Sequence, residues 1–141
     1  MIKDILPTLL CCLCLSYAPH LFAQNEKLSQ ALNAQVSVSG EMTTDKFQQL
    51  IKNGFKSVIV NRPDQEQGNR ISVSQLRKIA EQSHVSVIYQ PIVNGQITQT
   101  DVIEFSKYYK ELPKPILMVC RSGSRSTLLF NRPQSQGSLI E

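Results

Sequence analysis

A cysteine followed by small, basic and hydroxyl residues is the part of this sequence best suited to chemistry. The run begins at Cys120, reads Cys-Arg-Ser-Gly-Ser-Arg-Ser, and follows an apolar stretch at 115–119. Backbone N–H groups of such a loop, with a helix beginning behind it, can converge on an anion. A thiol there ionises readily, and the thiolate is its reactive form. We therefore predict Cys120 and Arg125 as catalytic residues. The anion-binding loop is predicted to be formed by Arg121, Ser122, Gly123, Ser124, Arg125 and Ser126.

The first 23 residues have the features of a signal peptide. Lys3 precedes an apolar stretch from Ile5 to Leu15, and Ala23 offers a small residue for cleavage. The stretch is shorter than the roughly 20 residues that span a membrane. Because the other three cysteines lie within it, cleavage leaves Cys120 alone and no internal disulfide. We predict a secreted or periplasmic protein, with an uncleaved N-terminal membrane anchor as the alternative.

Composition limits the partners of the remaining chain, which is long enough for one small domain. The net charge of +4 is spread along the 141 residues, with no dense basic block interleaved with aromatic residues. This pattern disfavours nucleic-acid binding. His84 is the single histidine outside the predicted leader, and no cluster with metal-ligand spacing is visible. We therefore expect neither a metal nor a cofactor.

Alternating strands and helices must position the loop. Apolar or alternating stretches predict strands within 35–40, 55–60, 85–93 and 115–119. Helices are predicted to begin at Thr43 or Thr44, at Ser72 or Ser74, and within 98–101. This order indicates an α/β domain with a mainly parallel sheet flanked by helices on both faces. Since sites in such sheets lie at the carboxyl ends of the strands, segments 61–66, 94–98 and 120–126 should gather there.

The two ends of the mature chain are predicted to be irregular. Residues 24–34 are expected to form a polar lead-in, and residues 35–132 to form the domain. Pro133 should end the last helix after about two turns, because proline cannot continue a helical hydrogen-bond pattern. Residues 133–141 are then an irregular tail. On this interpretation no further helix covers that side of the sheet. Either the domain is minimal and marginal there, or its C-terminal helices are truncated relative to its relatives.

Several short motifs in fixed order resemble one known family. They are Ser37-Val38-Ser39-Gly40, Gly54-Phe55, Asn61-Arg62-Pro63-Asp64 with Glu66, Pro91-Ile92-Val93 followed by Gly95-Gln96-Ile97-Thr98, and the Cys120 run. Together they resemble the phosphatase-like domain family of beta-lactamase hydrolase-like proteins. The resemblance implies a cysteine-phosphatase fold and a cysteine-thiolate hydrolase acting on a phosphate ester or a related small oxyanion.

The chain differs from the wider phosphatase superfamily around its loop. Arg125 lies five rather than six places after Cys120, Ser126 stands at the usual arginine position, and Val119 replaces a histidine. Asn94 stands where related enzymes place an aspartate general acid, and an amide cannot donate that proton. General acid catalysis typically contributes about 10²–10⁴-fold. We predict that Asp64 substitutes as the catalytic acid, with Arg62, Glu66 and Asn94 as accessory residues and Glu66 as a second candidate acid.

The loop is also similar to that of rhodanese sulfurtransferases, which leaves a second function open. There the cysteine carries a persulfide, and transfer to a thiolate needs no general acid. Cys120 would then accept sulfur from thiosulfate or a persulfide and pass it to a thiol acceptor protein. A third alternative is an anion-binding module without turnover, since the expected acid is missing. The sequence does not decide among the three.

Overall fold

The computed structural model describes residues 27–93 and 95–135. The predicted signal peptide, Asn94 and residues 136–141 lie outside the described residues. The predicted localisation depends on the signal peptide and stays a prediction. In chain order the elements are β1 (Gln30–Ala31), β2 (Val36–Ser39), α1 (Thr44–Lys52), β3 (Ser57–Val60), α2 (Val73–Glu81), β4 (Ser86–Tyr89), α3 (Gln99–Glu111), β5 (Ile116–Val119) and α4 (Ser124–Ser135). Within the described part of the chain, no helix is long and apolar enough to cross a membrane.

The last strand of the chain occupies the middle of the sheet. The strand order is β1-β2-β5-β3-β4, with β2, β5, β3 and β4 parallel and β1 antiparallel to β2. The register pairs Val119 of β5 with Ser39 of β2 and with Val60 of β3. The carboxyl ends of these three strands therefore meet at one edge, as predicted for an α/β fold.

Helices bury both faces of the sheet, which explains why its strands are apolar at consecutive positions. Side chains in β5 alternate between the two faces. Leu117 and Val119 pack with α1 and α2, whereas Ile116 and Met118 pack with α3 and α4. The buried helical residues on the first face include Phe47, Leu50, Leu76 and Ala80. Those on the second include Phe105, Leu129 and Phe130.

Predicted capping residues set the starts of three helices. The hydroxyls of Thr43, Ser72 and Thr98 accept hydrogen bonds from backbone N–H groups three residues later. Each satisfies a donor that the first turn of a helix leaves without an intrahelical partner. The sequence left Thr43 or Thr44 and Ser72 or Ser74 open, and the structure selects the first of each pair.

Two predictions about the ends of the domain were wrong. Part of the expected lead-in, Gln30–Ala31, forms β1 against Val38 and Ser37. Pro133 does not end the last helix but lies buried inside α4, which continues to Ser135. Proline removes one helical hydrogen bond, and near the end of a helix the burial of its ring offsets that loss. Since α3 and α4 together cover the second face, that side of the sheet does not lack cover.

Candidate active site

Cys120 lies directly after β5, at the edge where the parallel strands end. Its backbone N–H donates to the Ser39 carbonyl at 3.2 Å, and the Asn61 N–H donates to the Val119 carbonyl at 2.8 Å. The strand end is thus held from both sides. The thiol is 1% exposed, and among the described residues it is a free cysteine. A rigid scaffold therefore places this sulfur at the base of the following loop.

The loop from Cys120 to Ser126, here called the thiol loop, turns back over the sulfur. The Gly123 N–H donates to the Cys120 Sγ at 3.0 Å. Gly123 adopts a φ of 87°, a left-handed conformation that glycine accepts without strain. A Cβ at Gly40, in the next strand end, would lie 3.1 Å from the Arg121 carbonyl oxygen. Glycine at both positions therefore allows the loop to close tightly against β2.

Hydrogen bonds to the sulfur favour its ionised form. Burial alone raises the pKa of the Cys120 thiol, but the backbone N–H and hydroxyl of Ser126 and the N–H groups of Ser122 and Gly123 lower it further than burial raises it. The net result is a pKa below the ordinary thiol value. Donors stabilise the negative charge of a thiolate, which is the nucleophilic form of cysteine.

The ionisation of Cys120 can be measured from thiolate absorbance in the ultraviolet. Subtracting the titration of Cys120→Ser from that of the wild type isolates this one thiol. We expect a midpoint below the ordinary value of 9.0. Ser126→Ala removes the hydroxyl donor but keeps the N–H, so its midpoint should rise. A wild-type midpoint at or above 9.0 would contradict the hydrogen-bonding account.

Ser126 connects the sulfur to a buried asparagine that the sequence analysis did not assign to the site. The Ser126 Oγ donates to Asn61 Oδ1 at 2.8 Å, and Asn61 Nδ2 donates to the Gln90 carbonyl at 3.1 Å. A hydroxyl has one proton, so Ser126 donates either to Asn61 or to the sulfur at any moment. The Gln90 contact fixes the amide so that its oxygen faces Ser126. Asn61 therefore positions the start of α4 against the ends of β3 and β4.

Arg125 is buried beneath the thiol loop and is held by a carboxylate. Its Nη1 donates to Glu66 Oε2 at 2.9 Å and to the Ile92 carbonyl at 2.9 Å, and its Nη2 donates to Glu66 Oε1 at 3.2 Å. The Nε is buried and has no protein partner. Buried donors are nearly always paired, so this one is a candidate for binding an anion. A guanidinium fixed on one edge is well preorganised for that task.

Arg62 supports Glu66 instead of facing the loop. It is 4% exposed, donates from Nη1 to Glu41 Oε2 at 2.9 Å, and places Nε 3.3 Å from Glu66 Oε1. Its Nη2 donates to the Gln67 carbonyl at 3.0 Å. The predicted accessory residues Arg62 and Glu66 therefore form a chain of ion pairs, Glu41–Arg62–Glu66–Arg125. This chain links the end of β2 to the start of α4.

The surrounding guanidinium groups keep Glu66 ionised. The hydrogen bond from Arg125 has the largest effect and lowers the pKa of the carboxyl. Burial opposes this, while the charges of Arg125, Arg62 and Arg121 lower the pKa further. A carboxyl with a lowered pKa does not carry a proton at neutral pH. Glu66 is therefore suited to positioning Arg125 and unsuited to acting as a general acid.

Glu66→Gln tests this pairing through the pH dependence of stability. A lowered native pKa means that Glu66 contributes stability above its ordinary pKa of 4.5, and that this contribution is lost as pH falls through the native value. At pH 7 we expect urea unfolding to show a loss of about 1.5–3 kcal/mol. The difference from the wild type should shrink below pH 4.5. Glu104→Gln, on an exposed part of α3, is the matched control. A pH-independent loss would contradict the account.

Asp64, predicted as the catalytic acid, is engaged in local structure. Its Oδ1 accepts a hydrogen bond from the Val73 N–H at the start of α2, at 2.9 Å. Its own N–H donates to the Tyr89 Oη at 2.9 Å. The structure thus favours a capping role for Asp64, and the catalytic role remains a prediction without structural support.

The remaining predicted loop residues differ in exposure. Arg121, Ser122 and Ser124 are exposed, whereas Gly123 and Ser126 are buried. The hydroxyls of Ser122 and Ser124 lie 2.6 Å apart. A cavity of about 330 Å³ opens beside Ser122 and Gly123, and Lys27 and Lys46 also line it. Cys120 and Arg125 are not among the residues that line this cavity.

The parallel sheet, with a cysteine at the end of its central strand and a loop leading into a helix, defines a cysteine-phosphatase-like α/β domain. Residues 29–137 match the family described as the phosphatase-like domain of beta-lactamase hydrolase-like proteins. Because that match covers most of the chain, the protein belongs to this family, as its ordered motifs predicted.

Known relatives agree with this placement. A beta-lactamase hydrolase-like protein of Xylella fastidiosa strain Temecula1 is 26% identical over 99 residues, which are 70% of this chain and 23% of the relative. The chain thus spans about a quarter of the curated relatives that it matches. A proposed phosphatase from Neisseria meningitidis Z2491 superposes with a TM-score of 0.71 at 27% identity, covering 79% of both chains. The core catalytic domain of an S. cerevisiae PP-IP phosphatase has a TM-score of 0.61 at 15% identity over 76% of this chain and 64% of its own, and shows the fold alone.

Proposed function

We propose that the protein is a cysteine-dependent phosphatase-type hydrolase that acts on a small phosphate-bearing substrate. The observation that carries this proposal is the buried Cys120 sulfur, which accepts the Gly123 N–H at 3.0 Å and has a lowered thiol pKa. A nucleophile with these properties lies in a loop that leads directly into α4. The family and the similar folds support the same reaction class.

The reaction would proceed in two displacements. The Cys120 thiolate attacks phosphorus, an S–P bond forms, and the P–O bond to the leaving group breaks with its electron pair on oxygen. Water then attacks phosphorus, the S–P bond breaks, and the thiolate and inorganic phosphate are released. Loop N–H groups and the Arg125 Nε would bind the equatorial oxygens, whose charge they stabilise in both transition states.

The experiment is hydrolysis of p-nitrophenyl phosphate, combined with rapid acid quenching and intact-mass analysis. We expect turnover and a fraction of protein that carries one phosphoryl group, which peptide mapping assigns to Cys120. A chain treated with inorganic sulfate is the control for adducts unrelated to turnover. Absence of turnover across aryl phosphates and phosphoanhydrides would refute the proposal.

A rhodanese-type sulfurtransferase is the second candidate, because the candidate acids Asp64 and Glu66 are both engaged elsewhere and sulfur transfer to a thiolate needs none. The thiolate would attack the outer sulfur of thiosulfate, an S–S bond would form, and sulfite would leave, giving a persulfide on Cys120. A thiol acceptor would then take this sulfur. Intact mass after thiosulfate treatment should show one added sulfur atom. An unmodified, demonstrably free thiol would count against this candidate.

A further inference from the structure

We infer that this site is selective for substrates whose leaving oxygen can depart as an anion without being protonated. Phosphoanhydrides and aryl phosphates have such leaving groups. The site is expected to discriminate against alkyl phosphates, which do not. The inference rests on the proposed phosphatase function and concerns its substrate class. Three carboxylates lie in the segments that surround the thiol loop, namely Glu41, Asp64 and Glu66, and each is held as a hydrogen-bond acceptor.

Glu66 is the carboxylate in direct contact with the catalytic machinery, and both its oxygens are occupied. They accept from Arg125 at 2.9 and 3.2 Å, and Arg62 approaches at 3.3 Å. Protonating Glu66 would break a bidentate pair with a buried guanidinium. Such charge-assisted pairs are among the strongest hydrogen bonds in proteins. Glu66 therefore has no proton to give at neutral pH.

Asp64 and Glu41 each accept a hydrogen bond from another part of the protein. Asp64 accepts the Val73 N–H at the start of α2, at 2.9 Å. Glu41 accepts from the Nη1 of buried Arg62 at 2.9 Å. Its second oxygen, Oε1, is buried and has no hydrogen-bond partner in the protein.

The other acidic residues within 27–93 and 95–135 lie on helices. Asp45 and Asp101 occupy the first turns of α1 and α3. The others are Glu81, Glu104 and Glu111, which are exposed and lie at later positions of α2 and α3. At position 94, where a general acid stands in related enzymes, the sequence has an amide. The described part of the chain thus offers no carboxylic acid poised to protonate a leaving group.

The chemical consequence follows from the first displacement. When the P–O bond breaks, the electron pair stays on the leaving oxygen, and without a proton donor that oxygen departs as an anion. The barrier then depends steeply on the basicity of the leaving group. A phenol has a pKa near 10, whereas the pKa of an alcohol lies far higher, close to that of water. General acid catalysis, which normally removes this difference, is typically worth about 10²–10⁴-fold.

The experiment measures kcat/KM for a series of substrates that transfer the same phosphoryl group from leaving groups of increasing pKa. Substituted phenyl phosphates form the series, phosphoserine and glycerol phosphate are the alkyl arm, and inorganic pyrophosphate is the phosphoanhydride arm. This ratio reports the steps up to loss of the first product, so slow hydrolysis of the thiophosphate does not obscure it. We expect a steep decline across the phenols, turnover of pyrophosphate, and alkyl phosphates weaker than phenyl phosphate by at least about 10²-fold.

Two variants and a pH profile make the outcome specific. Glu41→Gln and Glu66→Gln should lower the absolute rates without changing the slope, because neither donates the proton. In the wild type, kcat/KM for an aryl phosphate should rise with thiolate formation and then show no basic limb from loss of an acid. A shallow slope, efficient alkyl phosphate hydrolysis, or a slope that steepens in either variant would overturn the inference. No turnover of any substrate would instead refute the proposed function.

Discussion

Cys120→Ser is expected to abolish phosphate release from p-nitrophenyl phosphate, with a loss of about 10⁴-fold or more. The hydrogen bonds that lower the pKa of the thiol would not lower the pKa of a serine hydroxyl enough for it to ionise at neutral pH. The substituted residue therefore lacks an anionic nucleophile at the end of β5, and no covalent intermediate forms. Steady-state release of p-nitrophenolate, measured against the wild type at matched concentration, gives the ratio.

The same variant separates chemistry from binding. Because the Ser122, Gly123 and Ser126 N–H groups are backbone donors, Cys120→Ser should still show a rise in melting temperature with inorganic phosphate. A variant that binds phosphate without turnover would establish that the nucleophile alone has been lost. Residual turnover within tenfold of the wild type would show that Cys120 does not form the S–P bond.

Arg125→Lys is expected to lower kcat/KM by about 10²–10³-fold and the free energy of unfolding by about 1.5–3 kcal/mol. A lysine ammonium cannot reproduce the bidentate contact with Glu66, the bond to the Ile92 carbonyl and the remaining Nε donor at the same time. Both effects are expected because one guanidinium holds Glu66 and, in the proposed function, also binds the substrate through Nε. Initial rates and urea titrations on the same preparation measure them.

Arg70→Lys is the matched control for this substitution. Arg70 is exposed in the segment before α2, so the identical chemical change there should alter neither quantity by a measurable amount. Unchanged kcat/KM in Arg125→Lys would show that the guanidinium supports the fold without binding the substrate. An unchanged free energy of unfolding would show that the Glu66 pair contributes little.

The order of strands and helices could be predicted because local chemistry decides it. Short apolar stretches followed by turn residues marked the strands, and the capping residues Thr43, Ser72 and Thr98 marked helix starts. Two departures had causes outside the local pattern. Gln30–Ala31 becomes a strand because β2 presents an edge to it. Pro133 remains helical because tertiary burial outweighs its intrinsic preference.

The thiol loop could also be predicted, but the roles of its surroundings could not. Residue type identified Arg62, Asp64 and Glu66 as polar groups near the site, whereas their functions depend on which partner each side chain reaches. Asp64 reaches the start of α2, and Glu66 reaches Arg125, over a sequence separation that no local pattern encodes. Asn61 gave one weak signal, because an amide directly after an apolar strand must find buried partners.

The position of β5 has a consequence for how the domain acquires its structure. The strand that leads into Cys120 is the last strand of the described residues, yet it separates β2 from β3. Until β5 docks, β2 and β3 each have one edge without a neighbouring strand. The contacts that β5 makes with both of them are distant in sequence and must form together. Such topologies fold slowly compared with locally connected ones. During synthesis, a nascent chain that has not yet released residues 116–119 would hold a divided sheet, so the scaffold on which Cys120 depends is completed only when β5 docks.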